Sequence, residues 1–465
     1  MPIPQGERSR RKMSPLRGPA KAALSATPPA TPGPPPGGVA GRPGPPGRPG
    51  PAGPAAPLGP SGAQDLGLAN VADFGAALNG TTDDSAAFQA ALNSGSAVVW
   101  VPPGKTARLA SGLTIPNGVT LWSPYSAVDG INSFGTRLVF DAGVMTCITM
   151  GTSGTYGSTG LAGIFITRAG TNGQSSGIPS GSIGVQLGVQ SNSQTGAANT
   201  AAYCRLDGVT VTRQDIGFGI YGGISLYADR IFTGQITTDH VQINNFPEVF
   251  IGNSGFGLDG PYDFNCNSYV KFIQGGNNNN TVRFASCQFN QGANRLACWL
   301  DFVGVTGVDG IFSFTDCHVE DIRDGVSNPG NVGAFIASDV TTTLIRKLFL
   351  TNVTLNDDCP IFALGANTVP KDWTFINVHA DPDGDGSNYT DPNTAWTLSG
   401  PINCKFLGCT FPTGTLVGSG SVAAFGDCIF GGDLTIDGSW RKLTINGGHT
   451  YGTLTNNGTG TVVID

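Results

Sequence analysis

The chain has 465 residues, a length that suits two or three ordinary domains or a single solenoid. Charged residues make up 12% while glycine reaches 70, which argues against a helical protein and for one rich in strands and turns. Charge is divided along the chain: residues 1–62 carry eight Lys or Arg against one acidic residue, and the remainder carries 17 against 31, so a tail of net +7 precedes a body of net −14.

Residues 1–37 form a basic, proline-rich tail. Arg8, Arg10, Arg11 and Lys12 precede no apolar core, and no apolar run of 18 residues occurs anywhere, so neither a secretory signal nor membrane insertion is expected. The tail is mostly Pro, Ala and Gly with few aromatics, which favours docking onto a larger assembly over nucleic-acid binding. Residues 38–62 then place Gly at every third position except Ala56. Only Gly fits the axis of a collagen triple helix, so this register predicts a short collagen-like stem and, with it, a homotrimer.

From Asn70 to Ser123 runs a segment with a DFGA box, a TDD start to a helix, and a strand from Ala97 to Val101 that stops at Pro102-Pro103-Gly104. Thr81 or Thr82 is the expected helix cap, Asp83 and Asp84 fill the first turn, and Phe88, Ala91 and Leu92 supply the apolar stripe. The segment resembles the N-terminal cap of the pectate-lyase-like superfamily as found in phage tailspikes and capsule depolymerases. That resemblance implies an all-β fold, a right-handed parallel β-helix with a short helical cap over 63–115 and a β-helix body over 116–465.

Beyond residue 116 a theme recurs: an apolar strand, a small turn, Cys or Val, and a second strand. It reads VRFASCQFNQ, FSFTDCHVED, LFLTNVTLND, WTFINVHADP, CKFLGCTFPT and AAFGDCIFGG, with Cys287, Cys317, Val353, Val378, Cys409 and Cys428 equivalent. RLDGVTVTRQ and TTDHVQINNF offer earlier copies at Val209 and Val241. Irregular spacing around a constant theme is what a β-helix shows, since each coil returns to the same inward column while its loops vary. The ten cysteines lack CxxC pairs and fall within apolar strands, so they read as buried thiols and not as metal ligands or disulfides.

Strand alternation converts the repeat into outward columns. One reads Gln242, Gln288, His318, Thr354, His379 and Thr410; the next reads Asn244, Asn290, Glu320, Asn356 and Asp381, with Asp321, Asp324, Asp357 and Asp358 just beyond. Glu320 is one of only three glutamates, with Glu7 and Glu248. Glycan cleavage needs two carboxylates flanking the linkage and polar side chains that read hydroxyls. Glu320, Asp321 and Asp357 are therefore the catalytic candidates, and His318, Asn290, Asn356, Asp324, Asp358 and Glu248 the substrate-binding ones. The bland alternative is that Asn and Asp here are ordinary turn residues.

Two features are weaker. The acidic run from Ala380 to Asn393 starts like a calcium loop but has Pro392 where the bidentate Glu belongs, so it reads as a loop between coils, and neither a metal nor a cofactor is expected. Trp299, Trp373, Trp396 and Tyr262 are candidates for sugar stacking, although such aromatics more often fill a core.

The whole arrangement resembles a bacteriophage tailspike or tail fibre. By resemblance, residues 1–37 would dock on phage tail or virion proteins. The trimeric body, folded in the host cytoplasm and carried on the virion, would bind and depolymerise a bacterial surface polysaccharide, by hydrolysis more often than by elimination. A glycan-binding protein without catalysis, or a structural fibre or decoration, is the alternative.

Overall fold

The computed structural model describes residues 67–124, 135–151, 158–170, 177–188, 203–244, 246–257, 266–273, 281–290, 298–305, 310–320, 334–339, 341–356, 359–381, 395–450 and 452–464. The chain separates into Met1–Pro57 and Leu58–Asp465. The basic tail and the Gly register from Gly38 to Gly62 lie outside the described residues, as do residues 382–394 of the acidic loop and Tyr262.

The second unit is an all-β, right-handed parallel β-helix in which every strand pairing is parallel. Each coil gives one strand to each of three sheets. Sheet A runs from Leu68–Asn70 through Ser225–Asp229, Glu248–Gly252 and Thr281–Ala285 to Thr459–Ile464. Sheet B runs from Asn79–Asp83 through Gln288–Phe289 and His318–Glu320 to His449–Thr450. Sheet C runs from Leu113–Ile115 through Ser268–Ile273 and Cys298–Val303 to Leu454–Asn456. Strands before residue 116 already belong to these sheets, since Leu113–Ile115 pairs with Thr146–Met150.

The corner between sheets A and B explains the recurring theme. In successive coils it is made by Arg230, Asn253, Ser286, Asp316, Asn352 and Asn377, all with φ between 48° and 55°. This left-handed conformation costs L-residues energy but suits Asn and Asp. Their side chains form a ladder: Asn352 Nδ2 donates to Asp316 Oδ1 at 2.9 Å, and Asn377 Nδ2 to Asn352 Oδ1 at 3.1 Å. At the next coil the position is Gly408, φ 59°, where an added Cβ would sit 2.7 Å from Asn377 Oδ1. Asp316, close before Glu320 in the chain, is thus a corner residue.

The residue after each corner points inward. Cys287, Cys317, Val353, Val378, Cys409 and Cys428 are all buried, and all ten cysteines are free thiols. Burial pushes the Cys147 and Cys204 thiols up to about 12, so they are inert apolar filling. Aromatic stacks run up the core at the coil spacing: Phe284 on Phe314 at 5.0 Å, Phe272 on Phe302 at 4.8 Å, and Phe406 on Phe425 at 4.6 Å between centroids. Each such contact contributes about 0.5–1.5 kcal/mol beyond the area it buries. Trp299, Trp373 and Trp396 belong to this core at 0–2% exposure, which removes them as sugar platforms.

Two expectations are corrected. The helix spans Ser85–Leu92, with Phe88, Ala91 and Leu92 buried as expected, but Thr81, Thr82 and Asp83 lie in a strand of sheet B. Asp84 occupies the cap position without capping, because its carboxylate is taken by the backbone N–H groups of Ala77 and Leu78 at 2.6 and 3.0 Å. The second correction concerns Val241, which belongs to sheet C and pairs with Val270. Gln242 and Asn244 therefore leave the Glu320 columns, and Ile231, following the corner at Arg230, is the true copy of the theme.

Candidate functional site

From residue 288 onward the predicted columns exist in register. Gln288 pairs with His318, His318 with Thr354, Thr354 with His379, and His379 with Thr410. One step along, Glu320 pairs with Asn356 and Asn356 with Asp381. The columns lie on the outer side of sheet B because Val319 and Leu355, between them, fill the core.

Glu320 is held on both sides. Its Oε2 accepts from Asn290 Nδ2 in the coil before, and its Oε1 meets His318 Nε2 on its own strand. Its backbone carbonyl accepts from the buried Tyr269 hydroxyl of sheet C at 3.0 Å, which ties the end of this strand across the corner. The Glu320 and His318 side chains are 31% and 36% exposed, so the carboxylate is oriented yet open to solvent. Charge-assisted bonds of this kind fix a carboxylate's direction without hiding it. Asp321, Asp324, Asp357 and Asp358 lie outside the described residues. Glu248 stands apart, exposed at the start of a strand of sheet A.

Sheet C carries a second cluster that the sequence reading missed. Lys271 Nζ lies 3.8 Å from Asp239 Oδ2 and 3.6 Å from Asp301 Oδ2, the three residues coming from successive coils. Asp239 is fully buried and also accepts from Ser268 Oγ and Gln242 Nε2, each at 2.7 Å. Gln242 in turn accepts from the Tyr221 hydroxyl at 2.7 Å. Burial raises the Asp239 carboxyl, with Lys271 pulling against it. Burial likewise pushes Asp301 up to about 6; Lys271 opposes this and Asp239 adds to it. Burial disfavours the Lys271 ammonium, yet the two carboxylates outweigh it and its pKa is raised. Asp301 and Lys271 keep 19% and 21% of their side chains exposed, so a ligand can touch these two members of the cluster and not Asp239.

The signal that could have found this cluster was the outward position of Gln242, Lys271 and Asp301 in one column, which the misplaced Val241 register concealed. Among the described residues no group of three His, Cys, Asp or Glu side chains is placed to hold a metal, and no helix is long and apolar enough to cross a membrane.

Fold and clusters together define a pectate-lyase-like parallel β-helix carrying outward carboxylates on two sheets. Residues 68–257 match the family model of rhamnogalacturonase A/epimerase, pectate lyase-like. No curated protein matches the chain. Among solved structures it is similar to PfbA, a surface adhesin of Streptococcus pneumoniae, at 13% identity and TM-score 0.47, covering 84% of this chain and 92% of that one. The tailspike of Acinetobacter phage vb_AbaP_AS12 aligns at 11% identity and TM-score 0.43 over 83% and 63% of the two chains. The A-module of a mannuronan C-5 epimerase from Azotobacter vinelandii aligns at 13% and 0.41 over 84% and 100%.

Proposed function

We infer that this chain binds a bacterial surface polysaccharide along the outside of its β-helix and cleaves it, as a phage tailspike does, with the homotrimer and virion attachment expected from its N-terminal segments. One observation carries the catalytic part: Glu320, a scarce residue type in this chain, has its carboxylate aimed by Asn290 and His318 while staying a third exposed. A carboxylate so held can take or give a proton at a glycosidic oxygen or attack the anomeric carbon, provided a second carboxylate faces it across the linkage. Asp321 and Asp357 are the candidates for that second group, with Asn356, Asp324 and Asp358 reading hydroxyls.

A second assignment has its own support. A general acid works best when its pKa lies near the working pH, and Asp301, pushed up to about 6 beside Lys271, meets that requirement. The test is cleavage of a bacterial surface polysaccharide by wild type, Glu320→Gln and Asp301→Asn. Loss in the first variant alone supports Glu320; loss in the second alone moves the chemistry to sheet C. Wild-type binding without any shortening of the polymer identifies a pure receptor protein.

A further inference from the structure

The outer face of sheet A holds a groove of about 320 Å³ that belongs to neither carboxylate cluster. Its floor is the stacked pair Tyr227 and Phe250, rings 5.0 Å apart and 13° from parallel, contributed by adjacent coils. Its rim holds Glu248, Arg283, Ser225 and Thr281. Register fixes the layout: Ser225, Glu248 and Thr281 form one column, and Tyr227, Phe250 and Arg283 the column two residues along. Three coils at about 4.8 Å each give a run of about 10 Å.

Two features set this groove apart. Water-exposed aromatics are scarce on this molecule: among the described residues only Trp122, Tyr203 and Tyr227 are 37% exposed or more. Trp122 and Tyr227 stand on strands of sheet A, and Tyr203 directly precedes one. The other feature is that Glu248 and Arg283, opposite charges on one rim, make no ion pair or side-chain hydrogen bond with any described residue. Both residues are exposed, so their charged ends are open to a ligand.

We propose that this groove is a second glycan subsite, which grips a short run of hydroxyl-rich sugars at a distance from the cleavage chemistry. Sugars present apolar C–H patches and paired hydroxyls that both give and accept hydrogen bonds. The Tyr227 and Phe250 rings meet the former, and Glu248 as acceptor with Arg283 as donor meets the latter. A second copy of this chain fits less well, since the cores of protein interfaces are depleted of charged side chains, and burying both here would leave each to find its own partner. The volume also falls in the range of small-ligand sites. Held here, a long polymer gains a second attachment, which raises residence without any change at the cleaving carboxylate. The subsite rests on the glycan reading above and is independent of cleavage.

The test is retention on an array of immobilised bacterial O-antigen, capsule and exopolysaccharide repeats. Tyr227 is about half exposed, so its removal leaves the core untouched. Tyr227→Ala and Arg283→Ala are expected to weaken retention on the glycan that the wild type binds by about tenfold. Tyr227→Phe, which keeps the ring, should bind nearly as wild type, and Glu320→Gln should bind fully while cleavage is lost. Wild-type retention unchanged in Tyr227→Ala overturns the subsite, as does a wild type silent across the array. A Tyr227→Ala chain that changes mass in light scattering also overturns it, by marking the face as a contact between copies. A wild type that is retained on the array but shortens no polymer would overturn the catalytic assignment alone.

Discussion

Asp301 offers a measurement in which the electrostatics of sheet C can be read without knowing any substrate. Its carboxyl titrates near 6 in the folded chain against 3.8 when unperturbed. Between these values the unfolded chain has released the proton and the folded chain still holds it, so the unfolded state binds fewer protons and stability falls as pH rises from about 4 to 6. Above 6 the full cost remains, about 3 kcal/mol for a shift of this size. Spread over some 400 folded residues at roughly 2 cal/mol/K each, that is a Tm lower by about 3 °C at pH 7 than at pH 4 from this group. Asp83 and Asp339, lowered chiefly by hydrogen bonding to Ser85 and, against burial, by Thr341 and Thr342, act in the opposite sense, so the wild-type slope alone is not diagnostic. The informative quantity is the difference from Asp301→Asn, which keeps shape and cannot ionise. Scanning calorimetry at one scan rate from pH 4 to 7 should show the variant gaining about 3 °C on the wild type across the window. Parallel pH profiles would refute the buried, ion-paired placement of Asp301.

Glu320→Gln should lower the rate of glycan cleavage a hundredfold to ten-thousandfold while leaving binding unchanged, as measured by reducing-end release and by array retention. Alkylation under native conditions should label few of the ten cysteines, and alkylation after denaturation without reductant should label nearly all; two or more native disulfides would contradict the inward column from Cys287 to Cys428. Light scattering of the purified chain should give three times 47.7 kDa, and a stable monomer at micromolar concentration would contradict the trimer expected from the Gly register.

The β-helix was legible because its most repetitive demand is local. A left-handed corner selects Asn, Asp, Ser or Gly, and the next residue must fill the interior, so FTDCHVED and LFLTNVTL align by eye and carry Gln288, His318 and Thr354 into one column. Legibility failed where that demand was met by an unusual residue. At Arg230 the corner holds an arginine, φ 53°, and the theme around Ile231 lost its signature, while TTDHVQINNF imitated it one sheet away. Glu320 with His318 and Asn290 was readable from alternation alone. The Asp239, Lys271 and Asp301 chain was not, because its contacts join three coils separated by loops of unequal length, and burial, which gives Asp301 its chemistry, has no signature in the residue itself. The same holds for the Tyr227 and Phe250 stack, 23 residues apart in sequence and adjacent only through the coil register.

The most direct test of the account is to incubate the purified wild-type chain with purified bacterial capsule, O-antigen and exopolysaccharide samples and to size the products by gel filtration with reducing-end counting. The account predicts that one polymer class is cut to short oligosaccharides with one new reducing end per break, and that Glu320→Gln leaves the same polymer intact and bound. A wild type that binds a polymer tightly and leaves its size unchanged would contradict the catalytic claim, and full cleavage by Glu320→Gln would remove Glu320 from the chemistry.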